Sequence, residues 1–195
     1  MYSILLILLV CIAVRTLATR CQPCDSSAVV VFGDSNSDTG NDYALTNHIY
    51  PLSPPYYKGR FCDGPNWVDD LAVSQKSNYA YGSGTTDSNF VQGYAIVPTS
   101  YPVPGVLQQV AQYLSQHPSV LSSSLSCSLH VVWAGANDFL FNQSVTSQQI
   151  MDSLKNSLVD LLNAAVYNIY LYSINHLIKI FQLMLEQTPL HLLLN

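Results

Sequence analysis

The chain has 195 residues, of which 49% are hydrophobic and only 10% charged, and its formal net charge is −5. This length suits one ordinary folded domain and falls short of the two-domain range. The seven lysines and arginines are scattered along the chain. Neither a nucleic acid nor an anionic membrane surface is therefore an expected partner.

Residues 1–18 have the pattern of a secretory signal peptide. The apolar run 4–14 is followed by Thr16-Leu17-Ala18, whose small-residue ending predicts cleavage after Ala18. The run is too short to span a bilayer. We expect a secreted protein with no stable membrane span after cleavage. An uncleaved signal anchor is the alternative, because no Lys or Arg precedes the apolar run.

Four cysteines follow the signal segment, and an even number in an oxidising compartment predicts disulfides of unassigned connectivity. They are Cys21, Cys24, Cys62 and Cys127. The Cys21–Cys24 pair also matches half of a metal or redox motif, but no second such pair or His pair accompanies it. No metal ion or other cofactor is expected.

The first predicted strand covers residues 28–32, a short β-branched apolar run that ends at Gly33. A polar cluster, residues 33–38, comes next. Its side chains are typical helix caps, and a helix is predicted from there to about Thr46. The Pro-rich residues 51–60 are predicted to form a loop.

Two helices are predicted in the middle of the chain. Pro65 suits the first position of a helix that continues to Ala72. Residues 78–89, rich in Gly, Ser, Thr and Tyr, are predicted to be loop with at most a short strand. Pro104 then begins an amphipathic helix that ends before Pro118. Its predicted apolar face consists of Val106, Leu107, Val110, Ala111 and Leu114.

A second strand is predicted at 129–134, a helix at 147–164 and a third strand at 169–172. Strands that alternate with helices indicate a parallel sheet with helices packed against it, an α/β fold. In such sheets ligands bind beyond the carboxyl ends of the strands. The polar clusters 33–38 and 135–138 both fall there.

Three separated segments carry residues suited to nucleophilic catalysis. Ser35 follows a buried strand, so its hydroxyl and its backbone N–H are expected at the active edge. Gly82-Ser83-Gly84 lets a backbone N–H approach a substrate, because glycine permits close approach. Asn137 adds an amide donor. Taken singly, each is also explained as a helix cap, a flexible surface turn or an Asx turn.

Together and in this order the segments resemble the SGNH (GDSL-type) hydrolases, a family of serine esterases and lipases. Residues 31–41 resemble the first family block, with Asn36 in place of the leucine of the GDSL name. Residues 59–69 resemble the following Gly-Arg-Phe, Gly-x-x-Trp stretch of fungal and plant-type members. Residues 78–84 resemble the glycine block, and residues 133–138 resemble the asparagine block. The resemblance covers roughly residues 28–165.

The resemblance implies a three-layer α/β/α sandwich with a parallel, flavodoxin-like sheet over residues 26–173. It implies that Ser35 is the nucleophile of an acyl-enzyme mechanism. The oxyanion hole would comprise the N–H of Ser35, an N–H from Gly82 or Ser83, and the Asn137 amide, with Asp34 and Ser83 in supporting roles. The substrate would be a small-molecule, lipid or acetylated-carbohydrate ester. The resemblance does not specify an oligomeric state.

The general base that this chemistry needs is missing from the sequence. The family places it in a C-terminal Asp-x-x-His, but the residues three before His176 and His191 are Ser173 and Thr188. Three further histidines are poor substitutes. His130 lies about 17 Å from the active edge, at about 3.3 Å per strand residue. His117 is expected to cap a helix and His48 to lie on the surface.

We therefore expect a C-terminally incomplete, truncated SGNH domain with weak or no hydrolysis, followed by an atypical apolar tail, residues 174–195. The tail is expected to be a helix that covers the sheet, or else an aberrant C-terminus. A non-catalytic secreted protein that binds esters or carbohydrates is the alternative function. A membrane-associated protein anchored by apolar segments is the third hypothesis.

Overall fold

The computed structural model describes residues 28–96, 100–117, 128–164, 166 and 169–172. The predicted signal segment and the predicted tail lie outside the described residues, as do Cys21, Cys24 and Cys127. Within the described residues Cys62 has a free thiol, which donates to the Gly64 carbonyl oxygen at 3.0 Å, and the predicted disulfides stay a prediction.

A four-stranded parallel sheet forms the centre of the fold. Its strands are β1 (Ala28–Gly33), β2 (Gln75–Asn78), β5 (Leu129–Trp133) and β6 (Ile169–Tyr172), in the spatial order β2-β1-β5-β6. A separate antiparallel hairpin consists of β3 (Gly93–Ile96) and β4 (Ser100–Val103). The Val-rich β1 is buried along its whole length, as expected for a central parallel strand.

Helices pack on both faces of the sheet. The long helices α3 (Val106–Gln116) and α5 (Ser147–Asn163) cover the face that carries Val30 and Phe32. The short helix α2 (Trp67–Asp70) covers the opposite face, where Val68 packs near Val29 and Val31. Because successive strand residues point to opposite faces, β1 contributes to both cores. This arrangement confirms the predicted α/β fold with helices on either side of a parallel sheet.

Two short helices follow the strands that lead into the polar clusters. They are α1 (Asn41–Leu45), after β1, and α4 (Ala136–Phe141), after β5. The chain runs from β1 to β2 on one side and later crosses to β5 on the other, so the strand order reverses between β1 and β5. A ligand crevice is expected at the carboxyl ends of strands at such a point. None of the described helices is long and apolar enough to cross a membrane.

The structure confirms the three predicted strands and the helices predicted after Pro104 and at 147–164. The helix predicted to follow the first polar cluster directly is wrong in its start, because residues 34–37 form a turn and α1 begins only at Asn41. Pro65 does not occupy the first helical position. It precedes Asn66, whose side chain caps α2, and α2 ends at Asp70, before Ala72.

The predicted apolar face of α3 is rotated relative to the buried one. The buried residues are Val106, Gln109, Val110 and Tyr113, whereas Ala111 is exposed. Nothing in the hydrophobic pattern predicted β2, the β3–β4 hairpin or α4. These elements nevertheless shape the region around the polar clusters.

Candidate active site

Ser35 lies in a tight turn at the carboxyl end of β1, which we call the nucleophile turn (residues 33–38). The Asp34 carbonyl accepts the N–H groups of Ser37 and Asp38, each at 3.0 Å. The buried Asp34 carboxylate accepts the backbone N–H and the side-chain amide of Asn36, both at 2.9 Å. Burial raises the pKa of Asp34, while the bonds from Asn36 act against that rise. Asp34 therefore supports the turn on which Ser35 lies.

Ser35 itself is left available by this turn. Its side chain is partly exposed, and within the described part of the chain neither its hydroxyl nor its N–H has a hydrogen-bond partner. A nucleophile must reach a substrate carbonyl, and an oxyanion donor must not be used by the protein itself. Both requirements are met at this residue.

The carboxylate of Asp38 connects the nucleophile turn to two other segments. It accepts the N–H groups of Gly40 at 2.7 Å, Asn41 at 2.6 Å and Asp42 at 3.2 Å, which fixes the start of α1. It also accepts the N–H of Gly82 at 2.9 Å, from the glycine block (residues 78–84). Asp38 is fully buried, and burial raises its pKa although these N–H groups lower it.

This contact decides which glycine-block N–H groups remain free. The Gly82 N–H is occupied by Asp38, and the Gly84 N–H donates to the Tyr81 carbonyl at 3.0 Å. Among the described residues, no acceptor is bonded to the N–H of Ser83, which has a left-handed φ of 61°. A Cβ at Gly82 would overlap the Phe61 ring. Gly82 is therefore required for packing, and Ser83 presents the available donor.

Two asparagines tie the glycine block to the nucleophile turn. The Asn41 amide donates to the carbonyl oxygens of Asn78 at 3.0 Å and Ala80 at 2.7 Å. In return, the Asn78 amide donates to the Ser37 carbonyl at 2.7 Å and to the Thr39 hydroxyl at 2.9 Å. Each segment thus holds the backbone of the other, and their relative position is fixed at several points.

Asn137 lies at the start of α4, directly beyond the end of β5, and is buried. Its Nδ2 donates to the Gly84 carbonyl oxygen at 2.9 Å. A side-chain amide has two N–H donors, so the second remains for a ligand. The next residue, Asp138, accepts the Thr86 N–H at 2.9 Å and the Thr86 hydroxyl at 2.5 Å, and burial raises its pKa. The asparagine block is thereby fixed against the chain just after the glycine block.

The three predicted segments thus meet at one edge of the sheet. Gly33 is paired with Trp133 across β1 and β5, and its carbonyl oxygen accepts the Tyr81 N–H at 3.2 Å. Asn137 completes the set through its bond to Gly84. The predicted site residues Ser35, Ser83 and Asn137 therefore belong to segments that hydrogen bonds connect to one another. The N–H of Gly82 forms one of these connecting bonds, to Asp38.

None of the histidines in the described part of the chain is bonded to Ser35. His130 is fully buried in β5 opposite Val30, with Nε2 2.9 Å from the Tyr113 hydroxyl and Nδ1 2.9 Å from the Ser128 carbonyl. His117 ends α3 and His48 is exposed. His176 and His191 lie outside the described residues.

Residues beyond the predicted set also shape the site. The most important are Asp38, Asn41, Asn78, Gln109 and Asp138. Gln109 had a detectable signal, because a polar residue stands at helical spacing between Val106 and Tyr113 on the buried side of α3. Within the described residues, no group of three His, Cys, Asp or Glu side chains is placed to hold a metal ion.

Comparison with known proteins identifies a family and several relatives. The sequence model of the GDSL-like Lipase/Acylhydrolase family matches residues 29–187, which extends past residue 165, where the resemblance in the motifs ends. The chain is 30% identical over 138 residues to a phosphatidylcholine-sterol acyltransferase of Aeromonas hydrophila, covering 67% of this chain and 39% of that protein.

Two further relatives are an esterase and a hemolysin. The esterase of Hevea brasiliensis is 40% identical over 88 residues, covering 40% of this chain and 21% of the esterase. The thermolabile hemolysin of Vibrio parahaemolyticus is 25% identical over 157 residues, covering 78% of this chain and 35% of the hemolysin. The chain therefore spans well under half the length of each of these relatives.

Proposed function

Because the chain belongs to the GDSL-like lipase/acylhydrolase family, we propose that it is a carboxylic ester hydrolase that acts through an acyl-enzyme on Ser35. One observation carries this proposal. Among the described residues neither the Ser35 hydroxyl nor the Ser83 N–H has a hydrogen-bond partner, and hydrogen bonds join the turn of Ser35 to the glycine block and the glycine block to Asn137.

The proposed reaction begins when Ser35 Oγ attacks the carbonyl carbon of the ester. The negative charge that develops on the carbonyl oxygen is stabilised by three donors, the N–H groups of Ser35 and Ser83 and the free N–H of Asn137 Nδ2. Such preorganised donors are worth about 10²- to 10³-fold each in rate. The alcohol leaves with a proton, and water then attacks the acyl-enzyme to release the acid and regenerate the Ser35 hydroxyl.

We place the second oxyanion donor at Ser83 instead of Gly82. An N–H that already donates to a buried carboxylate is not free to stabilise an oxyanion, and the Gly82 N–H is bonded to Asp38. The Ser83 N–H has no such partner among the described residues. Asp34 keeps its supporting role through Asn36.

The general base is the part of the mechanism that the described residues do not supply. Serine is a weak nucleophile until a base takes its proton, and loss of the base of a serine triad lowers the rate by about a millionfold. Binding and the oxyanion hole alone retain about 10³- to 10⁴-fold over water. We therefore propose that ester hydrolysis at Ser35 is slow when the described residues act without a further general base.

A second candidate function follows from the same observation. A site with the proposed oxyanion donors and, within the described residues, no histidine bonded to its serine is suited to bind an ester or an acetylated carbohydrate without turnover. The substrate that we propose is a small-molecule, lipid or acetylated-carbohydrate ester. We also propose, from residues 1–18, that the protein is secreted.

The test is the rate at which a fluorophosphonate probe modifies the purified chain, followed by intact mass, with and without added imidazole as an external base. We expect modification at Ser35 that imidazole accelerates and that Ser35→Ala abolishes. Asn137→Ala should slow it about 100-fold, because one oxyanion donor is lost. Ser144→Ala, at an exposed serine that makes no hydrogen bond to residues 33–38 in the described part of the chain, is the control and should react like the parent chain.

The outcomes separate the two candidate functions. Rapid modification without imidazole means that a residue of this chain activates Ser35, and the prediction of a missing base is then wrong. Modification that requires imidazole supports a formed nucleophile and oxyanion hole without a base. Absence of modification under both conditions, with an ester still bound, favours the binding protein and rejects the hydrolase.

A further inference from the structure

Gln109 is a fully buried glutamine of α3 whose amide is bonded to the end of β1. Its Oε1 accepts the N–H of Gly33 at 2.8 Å, and its Nε2 donates to the Gly33 carbonyl oxygen at 2.9 Å. The remaining Nε2 hydrogen is directed to the Pro104 carbonyl oxygen at 2.9 Å. A side-chain amide therefore pairs with both polar groups of one residue, as a neighbouring strand would.

The residue that Gln109 holds is two positions before Ser35. Gly33 is the last residue of β1, and it packs against the β5 backbone so closely that a Cβ would overlap the Trp133 carbonyl. The Gly33 carbonyl also accepts the N–H of Tyr81 from the glycine block. The position of this peptide therefore sets where the nucleophile turn begins.

Gln109 also touches the glycine block. A Cβ at Gly84 would lie 2.8 Å from the Gly33 carbonyl oxygen and 3.3 Å from Gln109 Nε2. The Gly84 carbonyl in turn accepts the Asn137 amide. The Gln109 amide is thus where β1 meets the glycine block, which carries the proposed Ser83 donor and holds the Asn137 amide through Gly84.

We propose that Gln109 is a positioning residue, whose amide fixes Gly33 and thereby the placement of Ser35 relative to the Ser83 and Asn137 donors. The inference rests on the function proposed for Ser35. A residue needed only to fill the core would do so equally well with an apolar side chain of the same length. Gln109 instead uses both donors and its acceptor on backbone groups around the site.

Three variants test the proposal. Gln109→Met keeps the length of the side chain and removes all three bonds. Gln109→Glu keeps an acceptor for the Gly33 N–H and loses at least one of the two donor bonds. Val110→Ala is the matched control, because Val110 is the next residue of α3, is fully buried and belongs to the same core. It creates a cavity and destabilises the fold without removing a bond to Gly33.

We expect Gln109→Met to slow fluorophosphonate modification of Ser35, measured with imidazole, by about 10- to 100-fold. Misplacement by about 1 Å has effects of this size. The concentration of probe that gives half of the maximal rate should not change, and Val110→Ala should react like the parent chain. Equal rates in Gln109→Met and Val110→Ala would overturn the proposal.

Amide hydrogen exchange gives a second readout that does not need activity. The Gly33 amide should exchange at least about 10-fold faster in Gln109→Met and remain protected in Gln109→Glu. The exchange rate of the Val30 amide, in the same strand, should not change in either variant. Equal acceleration at Val30 and Gly33 would indicate a purely structural role and overturn the proposal, as would unchanged exchange at Gly33. If the parent chain is not modified at all, the proposed hydrolase fails, and the exchange pattern alone decides whether Gln109 fixes Gly33.

Discussion

Two carboxyl groups one helical turn apart lie in opposite surroundings. Asp38, at the entrance to α1, and Asp42, inside it, are both fully buried. Asp38 accepts four backbone N–H groups, whereas both oxygens of Asp42 lack a hydrogen-bond partner in the part of the chain that the structure describes. A Cβ at Gly82 would approach Asp42 Oδ2 to 2.5 Å, so this carboxyl lies directly beneath the glycine block.

The difference shows that partners, and not burial alone, decide what a buried acid does. The N–H groups around Asp38 act against the rise in pKa that burial causes, and the carboxylate connects α1 to the glycine block. Burial, with a smaller contribution from the charge of Asp38, raises the pKa of Asp42 to about 8. Asp42 is thus an uncharged acid at neutral pH, and it stands beside Asp38, whose carboxyl accepts four N–H donors.

Removal of the connecting acid should have the largest effect on stability. Asp38→Ala leaves four N–H groups without their acceptor; the bonds from Asp42 and Gly82 are buried and those from Gly40 and Asn41 partly buried. Because each buried unsatisfied group costs about 1–3 kcal/mol, we expect a loss of about 2–6 kcal/mol in the free energy of unfolding, measured by urea titration. Asp63→Ala, at an exposed aspartate, should stay within about 0.5 kcal/mol of the parent chain. A loss for Asp38→Ala no greater than for Asp63→Ala would show that the four contacts do not stabilise the site.

Asp42 should affect stability in a pH-dependent manner. Its folded-state pKa of about 8 exceeds the usual 3.8, so the folded chain holds a proton that the unfolded chain has released between these values. The contribution of Asp42 to stability is therefore greatest below pH 4 and falls as the pH rises to about 8. Asp42→Asn should remove this slope and stabilise the chain at pH 8, on the order of 2 kcal/mol, because the buried amide retains part of the desolvation cost.

The measurement is the difference in unfolding free energy between Asp42→Asn and the parent chain from pH 4 to pH 8. Burial also raises the pKa values of Asp34, Asp38 and Asp138, so these residues contribute a slope of the same sign to both chains. Subtracting the unfolding free energy of the parent chain from that of Asp42→Asn cancels the contribution of these three residues. A difference that does not change with pH would show that Asp42 is not an uncharged acid in the folded protein.

How far the sequence predicts this region depends on the range of each interaction. The strands β1 and β5 were predictable because their apolar runs are local, and the edge at which Ser35 and Asn137 meet follows from parallel strands. β2 was not predictable from the sequence, because Gln75–Asn78 is polar and partly exposed. The hairpin was hidden by Gly93 and by Pro102, since glycine and proline weaken a strand pattern.

The choice between Gly82 and Ser83 shows the limit for the site itself. The bond that occupies the Gly82 N–H comes from Asp38, 44 residues earlier in the chain. Likewise, Gln109 is 76 residues from Gly33. Motif resemblance supplies the residue types at an edge, but contacts at such separations depend on the folded arrangement and have no local signature.

A third acid extends the comparison to a charged partner. The Asp69 carboxylate accepts Arg60 Nε at 2.9 Å and Nη2 at 2.5 Å, and these bonds from the guanidinium lower the pKa of Asp69. A lowered pKa stabilises the folded chain above pH 3.8, and the stabilisation is lost as the pH falls below that value. The pH dependence of stability that Asp69 contributes is therefore opposite in sign to that of Asp42. Both side chains are about one fifth exposed, so solvent screens the pair.

Arg60→Met, which keeps an apolar stem of similar length, should therefore lower the unfolding free energy by about 1 kcal/mol at pH 7 and low salt. The loss should shrink in 1 M NaCl and diminish as the pH falls below 3.8 and Asp69 takes up a proton. Lys58→Met, at a neighbouring exposed lysine, is the control and should change stability little at either salt concentration. A loss for Arg60→Met that does not diminish as the pH is lowered through the range in which Asp69 takes up its proton would assign the role of Arg60 to packing, because only an ionised Asp69 pairs with the guanidinium.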